Sequence, residues 1–337
     1  MTTPMTPRQR IRAAIAGEPT DRVPVALWKH FPGVDVSSEG LAAAVAGFQR
    51  RYGFDLVKVT PASGYPAEAW GAELVDDENE HGTRRYEARP VAGASDWRDL
   101  PALDSTNSVH ARELEALRRV RAAVGDDVHV VQTVFSPFTI AKQLYGPDIV
   151  EHARDNSRQV EQGLEIIADT AARFAQDALA AGADGIFFAT QFARHDLMSE
   201  LEYRQYGLEY DLPVLDAVRD TADILVLHMC GPTPMFHFVP KYEVDIVNWE
   251  DRETPPSLHE GWERFADGAV LGGIRRQSLA SGTPEDIEAE ARWAVQHTDG
   301  GRRLILGTGC VTLVTAPDEN IRAARQAAEV LPEPSPA

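Results

Sequence analysis

Short runs of apolar, often β-branched residues alternate along the chain with longer stretches in which Ala, Leu, Glu and Arg recur at helical spacing. Eight of the short runs have the length of a buried strand: residues 23–28, 56–60, 129–135, 185–189, 224–228, 244–249, 269–274 and 304–307. The stretches between them predict helices, among them 111–124, 148–181 and 284–296. The last opens on Thr283-Pro284-Glu285-Asp286, which supplies an N-cap, a proline at the first helical position and an acidic first turn. Strand and helix in regular alternation make βα units around a parallel sheet, and eight units predict an α/β fold of the (β/α)8 TIM barrel type. An open doubly wound sheet is the alternative that the same alternation permits.

One segment departs from the rhythm. Residues 72–91 show two strand-like runs around His81-Gly82, which predict a β-hairpin inserted between barrel units two and three, and residues 95–106 are expected to follow as a polar linker. The whole of 1–337 is expected to form one barrel domain, since this fold routinely uses such a length as a single unit, with fraying at 1–7 and 332–337. Composition adds exclusions. With 43% hydrophobic and 25% charged residues the chain can build a sizeable core, while a net charge of -19 disfavours nucleic acid and anionic membrane surfaces as partners. A polar start, no bilayer-length apolar run and only two cysteines fit a cytoplasmic protein with reduced thiols.

Candidate chemistry gathers at the carboxyl ends of the predicted strands. In Leu225-Val226-Leu227-His228-Met229-Cys230-Gly231 an apolar strand ends in two metal-binding residue types, and alternation along a strand points both side chains the same way. The other cysteine, in Gly307-Thr308-Gly309-Cys310, ends the eighth strand and so reaches the same rim, where active sites of this fold are built. One imidazole and two thiolates suit zinc, and three protein ligands leave a position for substrate. The competing interpretation makes all three ordinary buried residues. Their coincidence at strand ends favours the metal. Glu250 and Asp251, after the sixth strand, are catalytic candidates as a fourth ligand or general base. Gln191 and His195, after the fourth, are candidates for substrate binding. Gly272-Gly273 in the seventh strand leaves room for a ligand or for backbone.

The opening from Arg8-Gln9-Arg10-Ile11 to Gly17-Glu18-Pro19-Thr20-Asp21-Arg22-Val23-Pro24, together with Ser136-Pro137-Phe138-Thr139 and Pro317-Asp318-Glu319-Asn320-Ile321, resembles the uroporphyrinogen decarboxylase superfamily. Within it, the His228-x-Cys230 pair with the later Cys310 is similar to the zinc motif of the methylcobalamin:coenzyme M methyltransferase branch. That resemblance implies a zinc-dependent barrel enzyme passing a methyl group between a corrinoid, carried as methylcobalamin or on a corrinoid protein, and a small-molecule acceptor, either a thiol or tetrahydrofolate. A homodimer is compatible with it. True decarboxylases of the superfamily grip a polycarboxylate with an arginine-rich segment after the first strand. Here the corresponding stretch, Ala26-Leu27-Trp28-Lys29-His30-Phe31-Pro32-Gly33, offers only Lys29 as a substrate-binding cation, so a polyanion should be poorly held. A metal-free decarboxylase and a non-catalytic corrinoid-binding subunit stand as the alternatives.

Overall fold

The computed structural model describes residues 4–329. Among them ten strands form: β1 Val25–Ala26, β2 Leu56–Val59, β3 Glu73–Val75, β4 Arg85–Ala88, β5 His129–Phe135, β6 Gly185–Thr190, β7 Ile224–Met229, β8 Ile246–Trp249, β9 Ala269–Ile274 and β10 Leu304–Thr308. All but β3 and β4 belong to one parallel sheet in the order β1-β10-β9-β8-β7-β6-β5-β2, with helices following the strands as in a (β/α)8 barrel.

The seam between β1 and β2 is closed by one residue. The Asp55 amide donates to the Val25 carbonyl at 2.8 Å, and its carboxylate accepts from the Val25 amide at 2.8 Å. The same carboxylate, fully buried, pairs with Arg10 at 2.6 Å and Arg22 at 2.7 Å. A carboxylate taken out of water costs several kcal/mol unless such partners surround it. Arg10 comes from the helix Pro7–Ala16, which also sends Ile11 and Ala14 into the packed interior of the barrel.

Strand alternation sorts the core into two clusters. Ile224 and Val226 of β7 pack inside the barrel with Phe187, Ile246, Leu271 and Ile305, while Leu225, Leu227 and Met229 face the surrounding helices. His228 therefore continues the inward-facing series.

β3 and β4 pair antiparallel between barrel strands β2 and β5, with the tip of their connection tied to the loop after β10 by Val314 N donating to Glu80 O at 2.8 Å. Three expectations are corrected. Residues 148–181 form two helices, Ile149–Asp155 and Ser157–Ala180, because Asn156 takes a non-helical backbone (φ -132°, ψ 40°). The polar stretch after the hairpin holds a turn, Ala94–Asp99, whose Trp97 is buried and donates to His152 Nε2 at 3.0 Å. Residues 5–7 are tied down: Thr6 caps the first helix through a reciprocal capping box with Gln9, and Met5 N donates to Asp21 at 3.0 Å. Residues 1–3 and 332–337, also expected to fray, lie outside the described residues.

Candidate metal centre

β7 delivers His228 at its carboxyl end, and the next turn delivers Cys230, whose amide donates to Thr190 O of β6 at 2.9 Å. Cys310 arrives from β10 through Gly309. A Cβ at that glycine would stand 2.5 Å from Glu250 Cα and from the Trp249 carbonyl, so only glycine lets this loop close over β8. The ligand atoms of His228, Cys230 and Cys310 all lie within 4.8 Å of one another, with Cys310 Sγ 3.6 Å from His228 Nε2.

The surroundings suit a soft cation. Parallel register sets Asn248 of β8 beside His228, and His228 Nδ1 lies 2.6 Å from Asn248 Oδ1. Asn248 Nδ2 is committed to the carbonyls of Leu271 (2.8 Å) and Thr308 (3.1 Å), which leaves Oδ1 to accept. This network assigns the proton to Nδ1 and turns the Nε2 lone pair towards the sulfurs, as a metal-binding histidine requires. Of the two thiols, Cys310 is held well below the ordinary range by the hydrogen bond from Cys230, with His228 adding to the effect against burial. The same bond, then burial, pushes Cys230 up. The pair is thus biased towards a thiolate at Cys310 and a thiol at Cys230, and a cation that prefers thiolates can displace the remaining proton.

These three residues line one wall of a cavity of about 550 Å³. Gln191 and Glu250 also line it, Glu250 with Arg276 at 3.4 Å. Burial, then the charge of Cys310, raises the Glu250 pKa while Arg276 opposes them. The remaining sequence candidates lie elsewhere. Lys29 borders a separate crevice between β1, β2 and the helix Ser38–Tyr52, with its ammonium over the Phe31 ring. Asp251 turns into the core, where it accepts from Gly273 N at 3.0 Å and fills the space that the missing Cβ of Gly272 leaves, so the glycine pair makes room for a carboxylate of the chain itself. Burial pushes Asp251 up to about 7. His195 sits outside the cavity on the exposed surface.

The cavity is also far richer in cations than the β1 segment suggested. Lys58 comes from β2, Arg84 and Arg89 from the inserted hairpin region, Lys142 from the helix Pro137–Tyr145, and Arg276 from the start of the helix Arg276–Ser281 that follows β9. Lys29 is therefore not the source of the cavity's positive charge, and the groups that are arrive from segments far apart in the chain. Lys58 is buried, 3.2 Å from Thr60 Oγ1 and 4.6 Å from the centre of the Phe187 ring, and burial lowers its pKa to about 7. His30 on the same wall is pushed down to about 4 by burial. Asn248 and Lys58 were missed from sequence. Each is a single polar residue inside an apolar strand, Ile246-Val247-Asn248-Trp249 and Leu56-Val57-Lys58-Val59, and that interruption was the available signal.

Among known proteins the chain is similar to the methylcobamide:CoM methyltransferase MtaA of Methanosarcina barkeri, at 28% identity over 94% of this chain and 95% of the relative. It is also similar to the methylcobamide:CoM methyltransferase MtbA of Methanosarcina acetivorans, at 21% identity over 95% and 96% of the two chains. The solved structure of a methyltransferase from Methanosarcina mazei shares the fold, with a TM-score of 0.82 at 23% identity over 96% of this chain and 98% of that one. The uroporphyrinogen decarboxylase (URO-D) family model matches residues 6–330. The chain belongs to the uroporphyrinogen decarboxylase family.

Proposed function

We propose that this protein is a zinc-dependent methyltransferase that moves a methyl group between a corrinoid and a thiol. The observation that carries the reading is the His228-Cys230-Cys310 cluster, its imidazole oriented by Asn248, in the wall of a cavity roomy enough for a small acceptor. Full-length similarity to two proteins named methylcobamide:CoM methyltransferases supports the corrinoid and the thiol. His228, Cys230 and Cys310 hold the ion. Bound there, zinc supplies the Lewis acidity that keeps a coordinated thiol ionised at neutral pH.

The chain's own groups do the rest. Asn248 keeps the His228 lone pair aimed at the cluster. In a protein of net charge -19, a wall carrying Lys58, Arg84, Lys142 and Arg276 draws in and orients an acceptor with an anionic end. Trp28, Phe135 and Phe187 exclude water from the same space, which strengthens each of those attractions. The hairpin region, through His81, Arg84 and Tyr86, frames the mouth at which a corrinoid protein docks.

The test is metal analysis of protein purified under reducing, chelator-free conditions, joined to a methylcobalamin demethylation assay with a panel of thiols and tetrahydrofolate. Expected are about one zinc per chain at the cluster, loss of most of it in a folded Cys310→Ala variant, and demethylation with an anionic thiol. Activity without metal, or with tetrahydrofolate and no thiol, overturns the reading. The cation-rich cavity also favours a carboxylate-bearing substrate, and a metal-free decarboxylase is the reading that takes over if zinc proves dispensable.

A further inference from the structure

We propose a second, exposed transition-metal site on this chain, formed by His195, Glu200 and His237 and sharing no ligand with the sulfur cluster. The ligand atoms of the three residues lie within 4.8 Å of one another. His237 Nε2 stands 3.3 Å from Glu200 Oε2, and the imidazoles of His195 and His237 lie nearly parallel, 20° apart with centres 6.0 Å apart. A direct polar contact accounts for the approach of His237 and Glu200. It does not account for His195, which comes from a different loop and brings its ring beside the pair.

The backbone around these side chains is already fixed. His195 follows β6 and His237 follows β7, and the two loops are joined by a bridge between Arg194 and Pro234, by His195 N donating to Thr233 O at 3.0 Å and by Met235 N donating to Ala193 O at 2.7 Å. Thr233 Oγ1 adds a bond to Asp196 at 2.7 Å. Glu200 opens the helix Glu200–Tyr203, whose start is set by a capping box between Ser199 and Glu202. Three ligands on three ordered segments need only side-chain rotation to close on an ion, so little conformational entropy is lost on binding. Two imidazoles and one carboxylate suit Zn²⁺, Co²⁺ or Ni²⁺; a calcium or magnesium site would draw its ligands from oxygen. An ion held there ties the loop that carries Gln191 to the loop that carries Cys230.

The site is independent of the proposed methyl transfer, and cobalt(II) separates the two. Cobalt bound by thiolates shows intense sulfur-to-metal charge-transfer absorption, whereas a nitrogen-and-oxygen site contributes none. Full-length protein is titrated with Co²⁺ and the bound metal counted by equilibrium dialysis, for the wild type, His195→Ala/His237→Ala and Glu200→Gln. The wild type is expected to bind one cobalt more per chain than the double variant, with equal charge-transfer absorption in both. Glu200→Gln should weaken only the additional ion, by about tenfold or more. Thermal unfolding of the metal-free proteins checks that the double variant folds like the wild type. Equal cobalt counts in the wild type and a folded double variant overturn the proposal. Absence of charge-transfer absorption alongside a histidine-dependent cobalt upholds it and sinks the zinc-thiolate reading instead.

Discussion

Replacing Lys58 with methionine should stabilise the protein at neutral pH and lose that advantage as the solution is made alkaline. The ammonium is buried beside Thr60, Phe187 and Trp28, and burial holds its pKa at about 7 against a weaker upward pull from Cys310. An unfolded chain presents the same group with a pKa of about 10.4. Between those two values the unfolded state binds more protons than the folded one, so wild-type stability rises with pH across this window, and below about 7 the cost of the buried charge is felt in full. A gap of about 3.5 units at about 1.36 kcal/mol each sets a ceiling of about 5 kcal/mol. Methionine fills a similar volume without charge. Urea unfolding of both proteins at pH 6.5 and 9.5 should show Lys58→Met ahead by about 2–5 kcal/mol at the lower pH and by much less at the higher. A difference that stays constant or widens with pH would refute the burial argument. The functional counterpart is proton uptake. An anionic thiol seated near Lys58 restores its charge, so calorimetry at pH 8 in buffers of different ionisation enthalpy should show uptake in the wild type and none in Lys58→Met.

Asn248→Ala removes the acceptor for His228 Nδ1, and zinc affinity should fall about 10–100-fold by chelator competition; unchanged affinity in a folded variant removes the orienting role. Gly309→Ala places a methyl 2.5 Å from Glu250 Cα and the Trp249 carbonyl, so a loss of about 1–3 kcal/mol is expected, with lowered metal content from a displaced Cys310; wild-type values of both would contradict the packing. Asp55→Ala takes the buried carboxylate from Arg22 and from Arg10, which keeps only Asp21, and should cost about 3–5 kcal/mol in denaturant unfolding, with faster exchange of the Val25 amide; a cost under about 1 kcal/mol would mean that the seam is held by something else.

The barrel was legible because each strand is a compact apolar run, and β5 and β9 span the residues expected from the pattern. His228, Cys230 and Cys310 were legible for a related reason: strand ends can be located in sequence, and a barrel brings all of its strand ends to one rim. What pattern could not supply was direction on loops. Glu250 and Asp251 are neighbours of the same chemical type, yet one lines the cavity and the other answers the Gly273 amide, a choice made by β9 rather than by anything local. The cations behaved similarly. Attention to the stretch after β1 missed Lys58, Arg84, Lys142 and Arg276, whose convergence is a property of the closed fold.

The sulfur cluster also orders events in time. His228 and Cys230 stand at β7, but Cys310 follows β10, the strand that seals the barrel by pairing with β1 through Val25↔Leu306 and Ala26↔Gly307. A chain emerging from the ribosome therefore carries an incomplete, two-ligand site from the synthesis of Cys230 until that of Cys310, and the second sulfur joins only when the last strand docks. Completion of the candidate metal cluster and completion of the barrel become a single late step, so a half-made chain never presents all three ligands before it has a cavity behind them.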